Sequence, residues 1–257
     1  MPEGPITRSG YDRQLRDYWQ RNSPMAGLIA GAGNVGSTML LQDAAVGTVD
    51  TTNRWTTTTG GTGTAAAIGN SAAFTNVAGL KMVTAATADV SAITAKSLAT
   101  NPLVTTSPYI YPKMTLDFMF STDRVGNGTG LGPADASFMG LSNIDAALGT
   151  TNNIVGLRYT NSSGVWASVT DKAGTEEANN VLTSTADTIY RVVIVLTNVQ
   201  AQFWIDSGSG LAVVATHVTA SSLPIVLLKP DFYFKQVGAS GTNYYIHAVR
   251  WYISDEL

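Results

Sequence analysis

An antiparallel all-β sandwich is the fold this chain predicts. Short segments rich in β-branched and aromatic side chains recur from Lys113 to Leu257. Clusters of Gly, Asn, Ser, Asp and Pro separate them. No helical periodicity lies between them, and strands without intervening helices pair antiparallel, as a sandwich or barrel. The 257 residues suffice to bury a real core, and sandwiches of this length are commonly one domain.

The first element expected is not a strand. Tyr11, Leu15, Tyr18 and Trp19 fall at i, i+4, i+7 and i+8, which is one face of a helix over about residues 10–21. Ser9 caps its start, and Asn22-Ser23-Pro24 ends it. The helix either packs over one end of the sheet or tethers the chain to a partner. In the tethering case Arg13, Arg16, Tyr18, Trp19 and Arg21 are the partner-binding residues. A Gly- and Thr-rich stretch follows, with one short helix from Ser37 to Ala45. So long a segment without its own structure is easiest to explain along another subunit. Residues 1–52 are therefore read as an N-terminal arm and 53–257 as the sandwich domain.

Strands begin near Asn53-Arg54-Trp55 and continue through Leu80 to Val83 and Val90 to Ile93. Asn101-Pro102 and the stretch Pro108 to Pro112 interrupt. Further strands run from Met114 to Phe120, Ile154 to Tyr159, Tyr190 to Leu196, Gln202 to Asp206, Val213 to Val218 and Tyr244 to Ile253. Ser207-Gly208-Ser209-Gly210 lies between two of them and is a hairpin turn. Trp55, Trp166, Trp204 and Trp251 stand in or beside strands, where each can bury about 150–250 Å² between the sheets.

Charged residues make up 13% of the chain, against about 25% in ordinary globular proteins. A surface with so little charge is shielded in an assembly or covered by Thr, Ser and Asn. A net charge of -3 and the lack of any Lys or Arg run argue against nucleic acid as a partner. Cysteine is absent, which excludes disulfides and thiolate metal or redox sites. Met25 to Leu41 is too short for a bilayer and is broken by four glycines and Asn34, so no membrane partner is expected. The start Met1-Pro2-Glu3-Gly4-Pro5 lacks the basic and apolar parts of an export signal, which predicts synthesis in a cytoplasm without export by that route.

Several motifs carry potential chemistry. Gly31-Ala32-Gly33-Asn34-Val35-Gly36 matches a dinucleotide fingerprint. However, Asp50 comes too early for the ribose contact, and antiparallel β follows rather than βαβ units, so no cofactor is expected. His217 and His247 lie in strand-like runs and read as paired or solvated strand histidines rather than zinc ligands. Asp117, Asp123, Asp135, Asp145, Asp171, Glu176, Glu177 and Asp206 are available for glycoside hydrolysis, but nothing selects a pair. Most of these stand beside turn residues, and Glu176 and Glu177 point to opposite faces if extended. The oxygens of Asp123 to Gly128 suit calcium but form no recognisable loop signature.

Ala186 to Val195, then Ala201 to Gly208, then the closing strand Tyr244 to Ile253 follow a recurring pattern. It resembles the concanavalin-A-like, laminin-G-like jelly rolls of tailed-bacteriophage virion proteins, over roughly residues 110–257. The chain departs from that pattern at its Ser-Gly-Ser-Gly turn and in lacking the Asp/Asn metal cluster of plant-type lectins. The resemblance implies a non-enzymatic structural protein of the virion, a capsid decoration or cement protein that binds the major capsid protein through its arm and forms a homotrimer. The alternative is a carbohydrate-binding, lectin-like module of a tail or fibre, with a surface glycan as partner and an exposed aromatic cluster or a calcium ion at its site. A glycan-degrading enzyme is the third reading.

Overall fold

The computed structural model describes residues 37–43, 55–60, 64–70, 78–84, 89–95, 113–122, 136–143, 153–160, 165–226, 228–236 and 242–254. The chain divides into two compact units, Met1–Gly36 and Ser37–Leu257. The helix expected over residues 10–21, with Arg13, Arg16, Tyr18, Trp19 and Arg21, lies outside the described residues, as does the glycine fingerprint before Ser37.

The described strands are β1 (Ser37–Asp43), β2 (Trp55–Gly60), β3 (Thr64–Asn70), β4 (Ala78–Thr84) and β5 (Asp89–Ala95). There follow β6 (Lys113–Thr122), β7 (Ala136–Ser142), β8 (Asn153–Thr160), β9 (Val165–Lys172) and β10 (Thr175–Leu182). The last five are β11 (Tyr190–Leu196), β12 (Ala201–Asp206), β13 (Ala212–His217), β14 (Lys229–Gln236) and β15 (Thr242–Ser254). They form two antiparallel sheets, one of eight strands ordered β13-β12-β11-β6-β15-β4-β3 with β1 beside β15, and one of seven ordered β10-β9-β8-β7-β14-β5-β2. The predicted all-β sandwich is therefore the observed architecture.

The segment from Ser37 is a strand, not the short helix expected there. The cause is tertiary. β15 is long, and β4 covers only its first part, Thr242 to Ile246. β1 pairs with the remainder, Val249 to Ser254. The ladder groups on that half of β15 need partners, and this outweighs the helix preference of Met39-Leu40-Leu41.

Aromatic side chains from both sheets meet in the core, as alternation along each strand requires. Phe118 of β6 stands edge-on to Phe232 of β14, with centroids 5.3 Å apart. Phe120 of β6 meets Trp166 of β9 at 5.6 Å. Tyr244 of β15 stacks on Phe234 of β14 at 3.8 Å, and its hydroxyl bonds Ser137 Oγ. Trp55, Trp166 and Trp251 are core residues as expected. Trp204 is not: it pairs with Val193 on the face of the larger sheet that points away from the core, and stays half-buried.

Candidate functional site

Two places gather chemistry. The first is the outer face of the seven-stranded sheet. Across β14, β7, β8 and β9 the register sets Asp231 beside Gly140, Gly140 beside Gly156, and Gly156 beside Val169. The next row is Tyr233, Phe138, Arg158 and Ala167. A Cβ at Gly156 would come within 2.6 Å of Phe138, and one at Gly140 within 2.8 Å of the same ring. The paired glycines thus give the Phe138 ring room to lie against the sheet. Ile154, Val169 and Tyr233 pack with it into a small buried cluster separate from the main core. Burial, and then the charge of Asp231 two residues away, push the Tyr233 phenol above its ordinary range. Toward the open end Arg158 and Glu176 form a bidentate ion pair, with side chains 25% and 34% exposed. Arg158 Nε has no hydrogen-bond partner.

The second place is where an edge of each sheet meets the other. His217 ends β13, the last strand of the larger sheet, and is wholly buried. Its Nδ1 lies 3.0 Å from Thr170 Oγ1. Its Nε2 lies 2.9 Å from Ser168 Oγ and 3.2 Å from Asn179 Nδ2. Thr170 and Ser168 belong to β9, and Asn179 to β10, the edge strand of the smaller sheet. Thr170 Oγ1 donates to Ser222 Oγ at 3.2 Å, and Ser222 Oγ donates to Glu177 Oε2 at 3.3 Å. Glu177 also accepts from Thr219 N at 3.2 Å. Phe203 packs on the imidazole with centroids 5.0 Å apart. Burial pushes His217 below its ordinary value, although the Glu177 carboxylate pulls upward. Burial pushes Glu177 up, but hydrogen bonds from Thr219 and Ser222 and the charge of His217 outweigh it and hold the carboxyl low.

Both histidines are therefore paired within strands, as expected. His247 bulges out of the β15–β6 ladder and bonds Ser121 Oγ at 2.9 Å. Ser168, Thr170, Ser222 and His217 are buried, so this hydroxyl-histidine array offers no nucleophile to solvent. Its members stand far apart in sequence, and no spacing signal links them.

The acids fall out unevenly. Asp206 caps its turn as expected, accepting from Gly208 N at 2.7 Å and Gly210 N at 3.0 Å. Asp171 likewise accepts from Gly174 N at 2.7 Å. Glu176 and Glu177 do point to opposite faces, one to Arg158 and the other to the Ser222 turn. Asp117 departs from the turn reading: it stands inside β6, buried, with both oxygens on Arg191. Asp231 was missed; it follows Pro230 and resembles a turn residue, yet β14 buries it mid-sheet. Asp231 and Asp171 lie three strands apart, about 14 Å, beyond the separation glycosidases use. Asp123, Asp135 and Asp145, with the expected calcium loop, lie outside the described residues. Among the described residues no group of three or more His, Asp or Glu could hold a metal ion. None of the described aromatic side chains forms an exposed cluster; all are buried except Trp204.

No family model and no curated protein matches the chain. Solved structures do. A peanut lectin bound to a nine-residue peptide superposes with a TM-score of 0.57 at 10% identity, over 86% of this chain and 99% of the lectin. The lectin UEA-II complexed with galactose gives 0.51 at 11%, over 86% and 100%. A family 16 glycosyl hydrolase of Mycobacterium smegmatis gives 0.51 at 12%, over 83% and 100%. The fold is thus a concanavalin-A-type sandwich of the legume-lectin kind.

Proposed function

We propose that this protein binds carbohydrate without transforming it, as a lectin-like module. The observation that carries the reading is the near-complete span of the match to lectins, one of them holding galactose. Fold alone does not set function, so the site must supply the rest. On the outer face of the seven-stranded sheet, the half-open Arg158–Glu176 pair offers charge-assisted hydrogen bonds to sugar hydroxyls. Tyr233 and Phe138 are buried beneath that face and support it from within rather than presenting a stacking surface. Asp171 and Glu176 are direct cross-strand partners on that face, but Asp171 accepts from Gly174 N and Glu176 is held by Arg158, which favours binding over hydrolysis.

Glycan-array screening followed by titration of the best hit tests this. Binding in the millimolar to micromolar range that Arg158→Ala lowers at least tenfold is the expected result. A folded protein that binds no glycan, or one whose binding ignores Arg158→Ala, overturns the reading.

A second reading has its own support. Among the described residues the large exposed hydrophobics are Val199, Val213, Val214, Val218, Ile225 and Val226. All lie on β13 or in the loops beside it, and residues 207–228 contain no Asp, Glu, Lys or Arg. Natural edges usually carry charge to prevent association. This one suits assembly. The reading is a virion structural protein that decorates the capsid, binds the major capsid protein through its N-terminal arm with Arg13, Arg16, Tyr18, Trp19 and Arg21, and forms a homotrimer. Light scattering should give the mass of three chains. Removal of residues 1–36 should abolish cosedimentation with capsids, and unchanged occupancy would refute the arm.

A further inference from the structure

The hydrogen atoms of the His217 array can be assigned by counting. Glu177 and the Thr219 carbonyl only accept, and Ser222 Oγ bonds both, at 3.3 and 2.9 Å. The single Ser222 proton is therefore used there, and Ser222 must accept from Thr170. The Thr170 proton is then committed as well, so Thr170 must accept from His217 Nδ1–H. Nε2 is left as the acceptor, served by Asn179 Nδ2–H and by the Ser168 hydroxyl, which shares its proton between Nε2 at 2.9 Å and the Asn179 carbonyl at 3.2 Å. The polarity runs one way: His217 to Thr170 to Ser222 to the Glu177 carboxylate. Neutral imidazole with its proton on Nδ1 is the form that satisfies every partner.

We propose that His217 is an acid-sensitive latch: its neutral Nδ1–H form fastens the edge strand β13 to β9 and β10, and protonation at Nε2 breaks the β10 link and loosens that edge. The added proton turns Nε2 into a donor that Ser168 Oγ of β9 can accept, but Asn179 Nδ2 is a donor as well, so the side-chain link to β10 breaks. It also places a cation at a wholly buried site against the face of Phe203.

The surrounding charge does little to offset this. Glu177 of β10 faces the array but reaches the imidazole only through two hydroxyls. Lys172 shares the face of β9 that carries Thr170, two residues on, and adds a like charge. Asp171 and Glu176 sit on the opposite face. β13 itself, the inward positions Ala201, Phe203 and Ile205 of β12, and the turn Thr219 to Ser222 carry no charged side chain. Burial pushes the imidazole down in agreement with this accounting.

The edge that the latch holds is the valine-bearing one. The two sheets meet here through hydroxyls rather than a continuous ladder, which makes the connection dependent on one ring's protonation state.

Two measurements on the full chain decide the matter. Long-range proton–nitrogen NMR of the imidazoles at about pH 7.5 should place Nδ1 in the N–H range and Nε2 in the lone-pair range for His217. A His217→Gln variant assigns the signal against His247. The opposite tautomer overturns the proposal. Amide exchange, corrected for intrinsic rates, should then show protection of Val213 to His217 falling at least tenfold from about pH 7.5 to about pH 5, with β11 unchanged. In His217→Gln that dependence should vanish. In Glu177→Gln, which keeps the buried residues intact, it should move to lower pH. β13 protection that does not change with pH, or a full dependence that survives in His217→Gln, overturns it.

Discussion

Arg191 and Asp117 form a bidentate ion pair, Nε to Oδ1 at 3.0 Å and Nη2 to Oδ2 at 2.8 Å, on the face of the larger sheet turned away from the core. Both side chains are nearly inaccessible, at 8% and 3%. Arg250 of β15 lies opposite Asp117 in the β15–β6 ladder and is buried too. The pair ties β6 to β11, whose strands also pair by ladder.

A buried pair broken on one side strands a charge. Arg191→Leu should therefore destabilise the sandwich by about 3 kcal/mol, and Asp117→Leu by a similar amount. The double variant should recover part of that loss, because neither member of the pair is left without the other and only Arg250 still faces the site. Urea unfolding of all four proteins measures the cycle. Strictly additive losses would show that the two side chains are not coupled.

Gly156 is the backbone contact that seats Phe138. A methyl group there would come within 2.6 Å of the Met139 carbonyl and of the Phe138 ring. Gly156→Ala should cost about 1–3 kcal/mol through overpacking. Phe138→Leu in the same background should restore part of it by vacating the space. Thermal and denaturant unfolding of the single and double variants read the effect directly.

The β9–β10 turn holds Ala173 at φ 53° and Gly174 at φ 98°. Two central residues with positive φ make a hairpin turn that favours glycine or asparagine. Ala173→Gly should stabilise the protein by up to about 1 kcal/mol, since Ala is strained in the left-handed region. A neutral or unfavourable change in the denaturation midpoint would contradict the turn geometry.

Stability should fall on acidification in two stages. The His217 value is depressed in the folded state, so the unfolded chain takes up its proton first. Its contribution is present above about pH 6.5 and is lost as pH falls through the folded value. Glu177 is also depressed, and its contribution begins to fade below about pH 4.5. Tyr233 acts at the other limit. Its folded value is raised, so stability declines above about pH 10 as the unfolded phenol ionises first. Denaturation midpoints measured from about pH 4 to 10.5, with His217→Gln and Tyr233→Phe as controls, resolve each limb.

Much of the sandwich was legible in the residues themselves. Tyr190 to Leu196 and Gln202 to Asp206 announce β11 and β12 because β-branched and aromatic side chains fit a pleated surface, and Ser207 to Gly210 can only turn from β12 into β13. The opposite directions of Glu176 and Glu177 followed from strand alternation alone. Low charge and absent cysteine likewise limited the chemistry before any coordinates.

Other features came from pairing across distance. Ser37 to Asp43 became a strand because β15 had an open half to fill. Trp204 faced away from the core and Asp117 went into the middle of β6, since burial depends on which strand lies alongside. The His217 array joins residues 168, 170, 179, 217 and 222, brought together only when two sheet edges meet. A linear pattern encodes the period of a strand, but hydrogen bonds between side chains on different sheets depend on register and layer, which the folded chain alone sets.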